Sequence, residues 1–256
     1  VWLLPVDIRH GFYLVTVFSV AGTVALAYVI LRTMGCCVSV ALAGVSGLVC
    51  HEGVSQSLYH YALVDPLSFL LIELGILAIL LGNDRLFASS LLLGVLNRET
   101  SLFLIPTFHL ARWRRWWTPR AFGATGLLCS AAVVAFLMTR FALYPLSDEA
   151  HFNRSIRQCY GVKQFEFERF DEFYVRELRA IVSDPERWKL ALSLKTLSAG
   201  FGVLAPLSVL GVLWGRRESR LLIPYLICVW AQPLFAHQVT RLVFFAFPAF
   251  VILGGE

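Results

Sequence analysis

The run from Gly11 to Leu31, GFYLVTVFSVAGTVALAYVIL, carries no charged side chain. A helix of that length spans a hydrocarbon core of about 30 Å. Phe122–Thr139, Leu197–Trp214 and Leu221–Phe235 are similar runs. The composition agrees: 58% of the chain is hydrophobic and 15% charged. A soluble globular chain holds roughly 45–50% apolar and about 25% charged residues. The pattern predicts an all-α, polytopic transmembrane helix bundle.

Val1 in place of methionine, and an end at Glu256 just after an apolar run, read as a fragment cut at both ends. No basic leader or cleavage site marks a signal peptide. The net charge of +5 is read as arginine in cytoplasmic loops, so no nucleic-acid partner is expected. The six cysteines show no metal-type spacing. Cys36, Cys37, Cys50, Cys129 and Cys228 lie in or beside apolar runs and read as small hydrophobes. Cys159 stands alone in a polar segment, and no disulfide framework is expected.

Apolar runs cover roughly 11–31, 37–50, 63–81, 86–96, 101–111, 121–143, 196–214, 221–235 and 241–254. Short arginine-bearing loops separate some of them. Arg112, Arg114, Arg115 and Arg120 mark one, Arg216, Arg217 and Arg220 another, and Arg32 and Arg85 two more. Positive-inside bias places these in the cytoplasm. Cys50–Asp65 and Ala236–Arg241 fall outside, as does Tyr144–Lys195, whose basic and acidic residues balance. Three regions result: a transmembrane bundle over 1–143 that lacks its first span, an extracytoplasmic amphipathic-helical loop over 144–195, and C-terminal spans over 196–256. In the loop, Ser183-Asp184 ahead of Pro185 reads as a helix start. Asn153-Arg154-Ser155 is an N-glycosylation acceptor triplet if the chain is eukaryotic. Trp113, Trp116 and Trp117 suit the headgroup zone.

Arg85 and Arg112 should share a side, yet one apolar region of about 26 residues separates them. A single span would put them on opposite sides. Two pieces of about 16 Å each, at 1.5 Å per residue, would bring the chain back. The expected turn is Asn97-Arg98-Glu99-Thr100, partway through the bilayer. Irregular backbone at that depth must be buried in protein or line a wet cavity.

Charged groups within a membrane pair with one another or mark a site. Arg98 could present its donor fork to a phosphate, and Glu99 could accept hydrogen bonds at the turn. A buried ion network pinning the turn is the competing reading. Asp65-Pro66 opens its run as a helix cap with proline first, or as a site carboxylate. Glu73 lies on a similar face, with Arg140 a candidate partner. His51, Glu52, Tyr59, His60 and Tyr61 lie outside. Glu52 is a candidate proton acceptor there, and no HExxH or DxD pattern supports a metal. His237, Gln238 and Arg241 form a second outside cluster, where Arg241 meets a lipid phosphate or simply snorkels.

YALVDPLSFLLIELGILAILL, a short arginine-bearing turn, then LLLGVLNRETSLFLIP and the closing HQVTRLVFFAFPAFVIL resemble the integral-membrane glycosyltransferases of the C superfamily, the polyprenol-phosphate-sugar-dependent enzymes related to mannosyltransferases. The resemblance covers most of 1–143 and 196–254. It implies sugar transfer on the side facing away from the cytoplasm, in a bacterial inner membrane or the endoplasmic reticulum. The donor would be a sugar on a polyprenol phosphate, with no other cofactor and no metal. Its phosphate would be held near cationic side chains, and Arg98 and Arg241 are the positions here that could take that role. The family's usual acid lies in the first outside loop, of which VWLLPVDIRHG would be the end, leaving Asp7 there.

An inverting transfer needs a carboxylate for the acceptor proton and cations for the departing phosphate. Asp7, Glu52, Asp65 and Glu99 are the candidate carboxylates, and Arg98, His237 and Arg241 the candidate cations. The acceptor is left open. A transporter or flippase also uses broken helices with buried charge, and a non-catalytic assembly subunit is a third class.

Overall fold

The computed structural model describes residues 8–50, 54, 58, 65–112, 118–143, 179, 183 and 222–231. These are helical, with no strand among them. The order is α1 (Ile8–Thr33), α2 (Val38–Val49), α3 (Asp65–Leu80), α4 (Asp84–Asn97), a 3-10 turn (Glu99–Phe103), α5 (Leu104–Arg112), α6 (Pro119–Leu143) and α7 (Ile223–Ala231). The expected runs over 196–214 and 241–254, and the tryptophans at 113, 116 and 117, lie outside the described residues.

The helix ends follow from local chemistry. After α1, Gly35 adopts φ +86°, and the Cys36 amide donates to Leu31 O at 3.0 Å. This is a glycine-terminated Schellman closure, in which a left-handed residue lets the last carbonyls be satisfied. Arg32 Nη1 donates to Cys36 O at 2.7 Å and tightens the same turn. Beyond α3, Gly82 at φ +64° allows the same closure, with the Asn83 amide on Ala78 O at 2.9 Å. Asn83 then caps the next helix, its Oδ1 accepting from Leu86 N at 3.0 Å. One short turn thus ends α3 and starts α4, so the two helices pack side by side.

Helix α3 packs against both α1 and α4, and α4 also meets α6. The stripe of α1 that is buried runs Thr16, Ser19, Thr23, Ala27, Ile30 at three- and four-residue spacing. Gly22 lets Leu70 of α3 come close: a Cβ there would lie 2.7 Å from Leu70 Cδ1. The core of α3 and α4 is Ile72, Ile76, Phe87, Leu91 and Val95, joined by Leu104 from α5 and Tyr225 from α7.

Among the described residues two helices, spanning His10–Thr33 and Pro119–Thr139, are long and apolar enough to cross a membrane. Neither is a buried core helix. Leu127 is 75% exposed and Met138 67%, and Phe18 on α1 is 72% exposed. Helices α2 and α3 are apolar but shorter.

Helix α3 is described from Asp65 onward, and residues 59–64, which precede it, lie outside the described residues. One local expectation is corrected. Ser183 is helical, and its Oγ donates to Arg179 O at 3.0 Å, one turn back. It therefore lies within a helical turn rather than at a helix start.

Candidate functional site

The apolar region between Arg85 and Arg112 does reverse direction. Arg112 Nε lies 2.8 Å from Asp84 Oδ2, joining the end of α5 to the start of α4. Further along, the Phe87 and Phe108 rings stack in parallel with centroids 4.2 Å apart. At the far end, Gly94 of α4 faces Ser101 of the 3-10 turn. These contacts run in antiparallel register, and 97–103 is the tip of the hairpin. His109 Nδ1 sits 2.8 Å from Thr125 Oγ1, and its ring lies against Phe122, fixing α5 on α6.

Why the helix stops at Arg98 is visible in the backbone. Arg98 is extended, at φ −157° and ψ 141°, while its amide still donates to Gly94 O at 2.7 Å. Its carbonyl accepts from Ser101 N at 3.4 Å and so opens the 3-10 turn. Gly94 makes this sharp return possible. A Cβ at 94 would lie 2.8 Å from Ser101 Cβ, and nearer still to Ser101 Oγ.

The tip is anchored to α3. Asn97 Nδ2 donates to the buried Ser68 Oγ at 2.6 Å. Ser68 is one turn along from Asp65, so the broken segment stands at the level of the first turn of α3. Arg98 is half-buried, and Thr100 and Ser101 are buried. Thr100 Oγ1 and Ser101 Oγ have no hydrogen-bond partner among the described residues. Buried hydroxyls left in that state call for a water or a ligand group to satisfy them.

Of the residues singled out in the sequence, Arg98 and Glu99 stand at the break, which the Asn97–Ser68 hydrogen bond ties to α3 three residues along from Asp65. The side chains of Asp65, Glu99 and Arg140 lie outside the described residues, as do Asp7, Glu52, His237 and Arg241 entirely. Among the described residues no cluster of three or more His, Cys, Asp or Glu gathers, and Cys36, Cys37, Cys50, Cys129 and Cys228 are not in disulfides.

Sequence reasoning gave little weight to Glu73 and none to Tyr225. Both are fully buried. Glu73 had a signal, a carboxylate in mid-run. Tyr225 had none, being one more aromatic in an apolar helix. No family model, curated protein or solved structure matches the chain.

Proposed function

We propose that the chain is an integral-membrane glycosyltransferase, moving a sugar from a polyprenol-phosphate donor to an acceptor on the side away from the cytoplasm. The observation that carries this reading is the broken hairpin tip. It holds a half-buried arginine in extended backbone, beside the buried hydroxyls of Thr100 and Ser101 and one turn from the start of α3. Short helices ending in a polar break bring such a group to a lipid-borne substrate without exposing backbone to lipid tails.

In this reading Arg98, with His237 and Arg241, binds the donor phosphate and stabilises the charge that develops as it leaves. The acceptor oxygen bonds to the anomeric carbon as the bond to the phosphate oxygen breaks. The acceptor proton passes to a carboxylate drawn from Asp7, Glu52, Asp65 and Glu99. The configuration inverts, and no metal takes part.

The test is transfer by the purified chain in lipid nanodiscs, supplied with polyprenol-phosphate sugars and lipid or peptide acceptors. The expected result is a glycosylated acceptor, lost in Arg98→Ala while the variant stays inserted and folded. Full activity in that variant removes Arg98 from the mechanism.

One observation favours a second reading, a transporter or flippase for a lipid-linked or anionic substrate. Glu73 is a fully buried carboxylate in the middle of α3. Buried carboxylates of this kind mark ion pathways in transporters. Substrate uptake by sealed vesicles, without any glycosylated product, would select it.

A further inference from the structure

At the base of the hairpin, opposite its tip, four helix ends each carry an arginine. Helices α1 and α3 pack in parallel: Gly22 lies against Leu70, and further along both helices the Glu73 carboxylate sits beside the Ala27 peptide. Arg32 and Leu80 each lie ten residues beyond the Gly22–Leu70 contact, so the end of α1 stands level with the end of α3. The tight turn at Gly82 and Asn83 then puts Arg85 of α4 at the same height. Arg112, at the end of α5, joins this level through Asp84. Phe122 in the first turn of α6 lies against His109 in the last turn of α5, so α6 starts where α5 finishes, with Arg120 as its second residue.

All four arginines are exposed. Arg32 gives one donor to Cys36 O and Arg112 engages Asp84, while Arg85 and Arg120 make no hydrogen bond or ion pair among the described residues. Asp84 is the one carboxylate at this end among the described residues, since Asp65 and Glu99 belong to the end where the tip is tied to α3. Apolar surface borders the arginines. Val29, one turn before Arg32, Leu81, just after α3, and Phe122, beside Arg120, are all exposed. A cationic rim on an apolar flank matches a molecule with an anionic headgroup and a hydrocarbon tail. A nucleic acid or a free anion would use the charge alone and leave the apolar flank uncovered.

We infer that this end of the bundle binds the headgroups of anionic phospholipids in the surrounding leaflet, with Arg32, Arg85, Arg112 and Arg120 as its cations. A guanidinium stays charged throughout the physiological range, and its donor fork matches two oxygens of a lipid phosphate. Anionic lipid attracts basic residues held at the membrane surface by roughly fivefold in affinity for each residue. The inference rests on the integral-membrane part of the proposed function and not on sugar transfer, since these arginines stand at the opposite end of the hairpin from Arg98.

The test reconstitutes the intact chain in vesicles of phosphatidylcholine, with or without phosphatidylglycerol, each holding a trace of one spin-labelled lipid. Flotation with the vesicles after alkaline carbonate extraction checks insertion first. A chain that does not stay in the bilayer overturns the membrane reading and this inference with it. For the inserted chain, electron spin resonance reads the fraction of each lipid immobilised at the protein surface. The inference expects phosphatidylglycerol to be held in preference to phosphatidylcholine, with the preference shrinking in high salt as exposed charges are screened. Arg85→Gln combined with Arg120→Gln removes the two arginines that bond to nothing among the described residues, so the fold is kept and the preference should fall several-fold. Arg85→Lys combined with Arg120→Lys should keep most of it. Equal immobilisation of the two lipids by the inserted chain, or a preference unchanged in the glutamine double variant, overturns the inference and leaves the membrane reading standing. A preference erased by inorganic phosphate at constant ionic strength, or an RNA oligonucleotide bound by the chain in pure phosphatidylcholine, assigns the surface to a free anion or to nucleic acid and overturns it as well.

Discussion

Arg112 and Asp84 meet across the base of a hairpin whose tip is Arg98, with Nε 2.8 Å from Oδ2. The two side chains are 51% and 46% exposed, so the bond contributes at most about 1 kcal/mol. Its value is geometric. It shows that the chain ends this segment where it began it.

Single cysteines at positions 84 and 112, in a background without native thiols, should therefore react with an impermeant maleimide from the same face of sealed vesicles. The positive-inside expectation is that this face is the cytoplasmic one. Labelling from opposite faces would mean that α4 and α5 cross the bilayer as one span, and the donor-site proposal would lose its scaffold.

The return depends on Gly94. Gly94→Ala sets a methyl group against Ser101, with a Cβ–Cβ distance of 2.8 Å. Crowding of this kind typically costs about 1–3 kcal/mol. The expected result is a lower melting temperature in detergent, restored by adding Ser101→Gly, which removes the clashing atoms. Ser101→Gly also deletes a buried hydroxyl that bonds to nothing among the described residues, so that deletion itself costs little. A double variant as unstable as Gly94→Ala alone would show that crowding at this contact is not the cause.

The hairpin was legible because two facts conflict in the sequence. Arg85 and Arg112 ask for the same side, while the apolar stretch between them is too long for a loop and too short for two spans. Only a half-length pair resolves that conflict, and Asn97–Thr100 are the polar residues within it. The height of the tip was not legible, because it is set by Asn97 bonding to Ser68, a contact between separate helices. Glu73 was visible as a charge in an apolar run. Its surroundings were not, because the Ala27 peptide reaches it from a helix far off in the chain. The stripe Thr16, Ser19, Thr23 has plain helical spacing, yet small hydroxyls scarcely disturb an apolar pattern.

Arginine chemistry at the tip separates binding of phosphate from simple charge. Arg98→Lys keeps the cation but loses the planar fork that grips two oxygens. If Arg98 holds the donor phosphate, lysine should recover only part of the transfer lost in Arg98→Ala, with the deficit largest at low donor concentration. Equal activity of the lysine and arginine forms would reduce the role of Arg98 to bulk charge. Equal inactivity of the lysine and alanine forms, with folding intact, would point to a strict need for two-point contact.

The link between Asn97 and Ser68 should couple the tip to the start of α3. Asn97→Ala removes the donor, but the Ser68 hydroxyl can turn to a carbonyl in the preceding turn of its own helix, as serine in helices commonly does. The single loss is therefore expected near the low end of about 0.5–1.5 kcal/mol for one hydrogen bond. A double-mutant cycle with Ser68→Ala isolates the pair, since the two side chains are in direct contact and their effects should not add. The cycle should return a coupling energy within that range. Activity should fall by more than this loss of stability implies, because the bond sets where Arg98 stands relative to Asp65. Additive effects, with transfer unchanged in Asn97→Ala, would show that the tip is held by packing around Thr100 and Ser101 and that this hydrogen bond positions nothing.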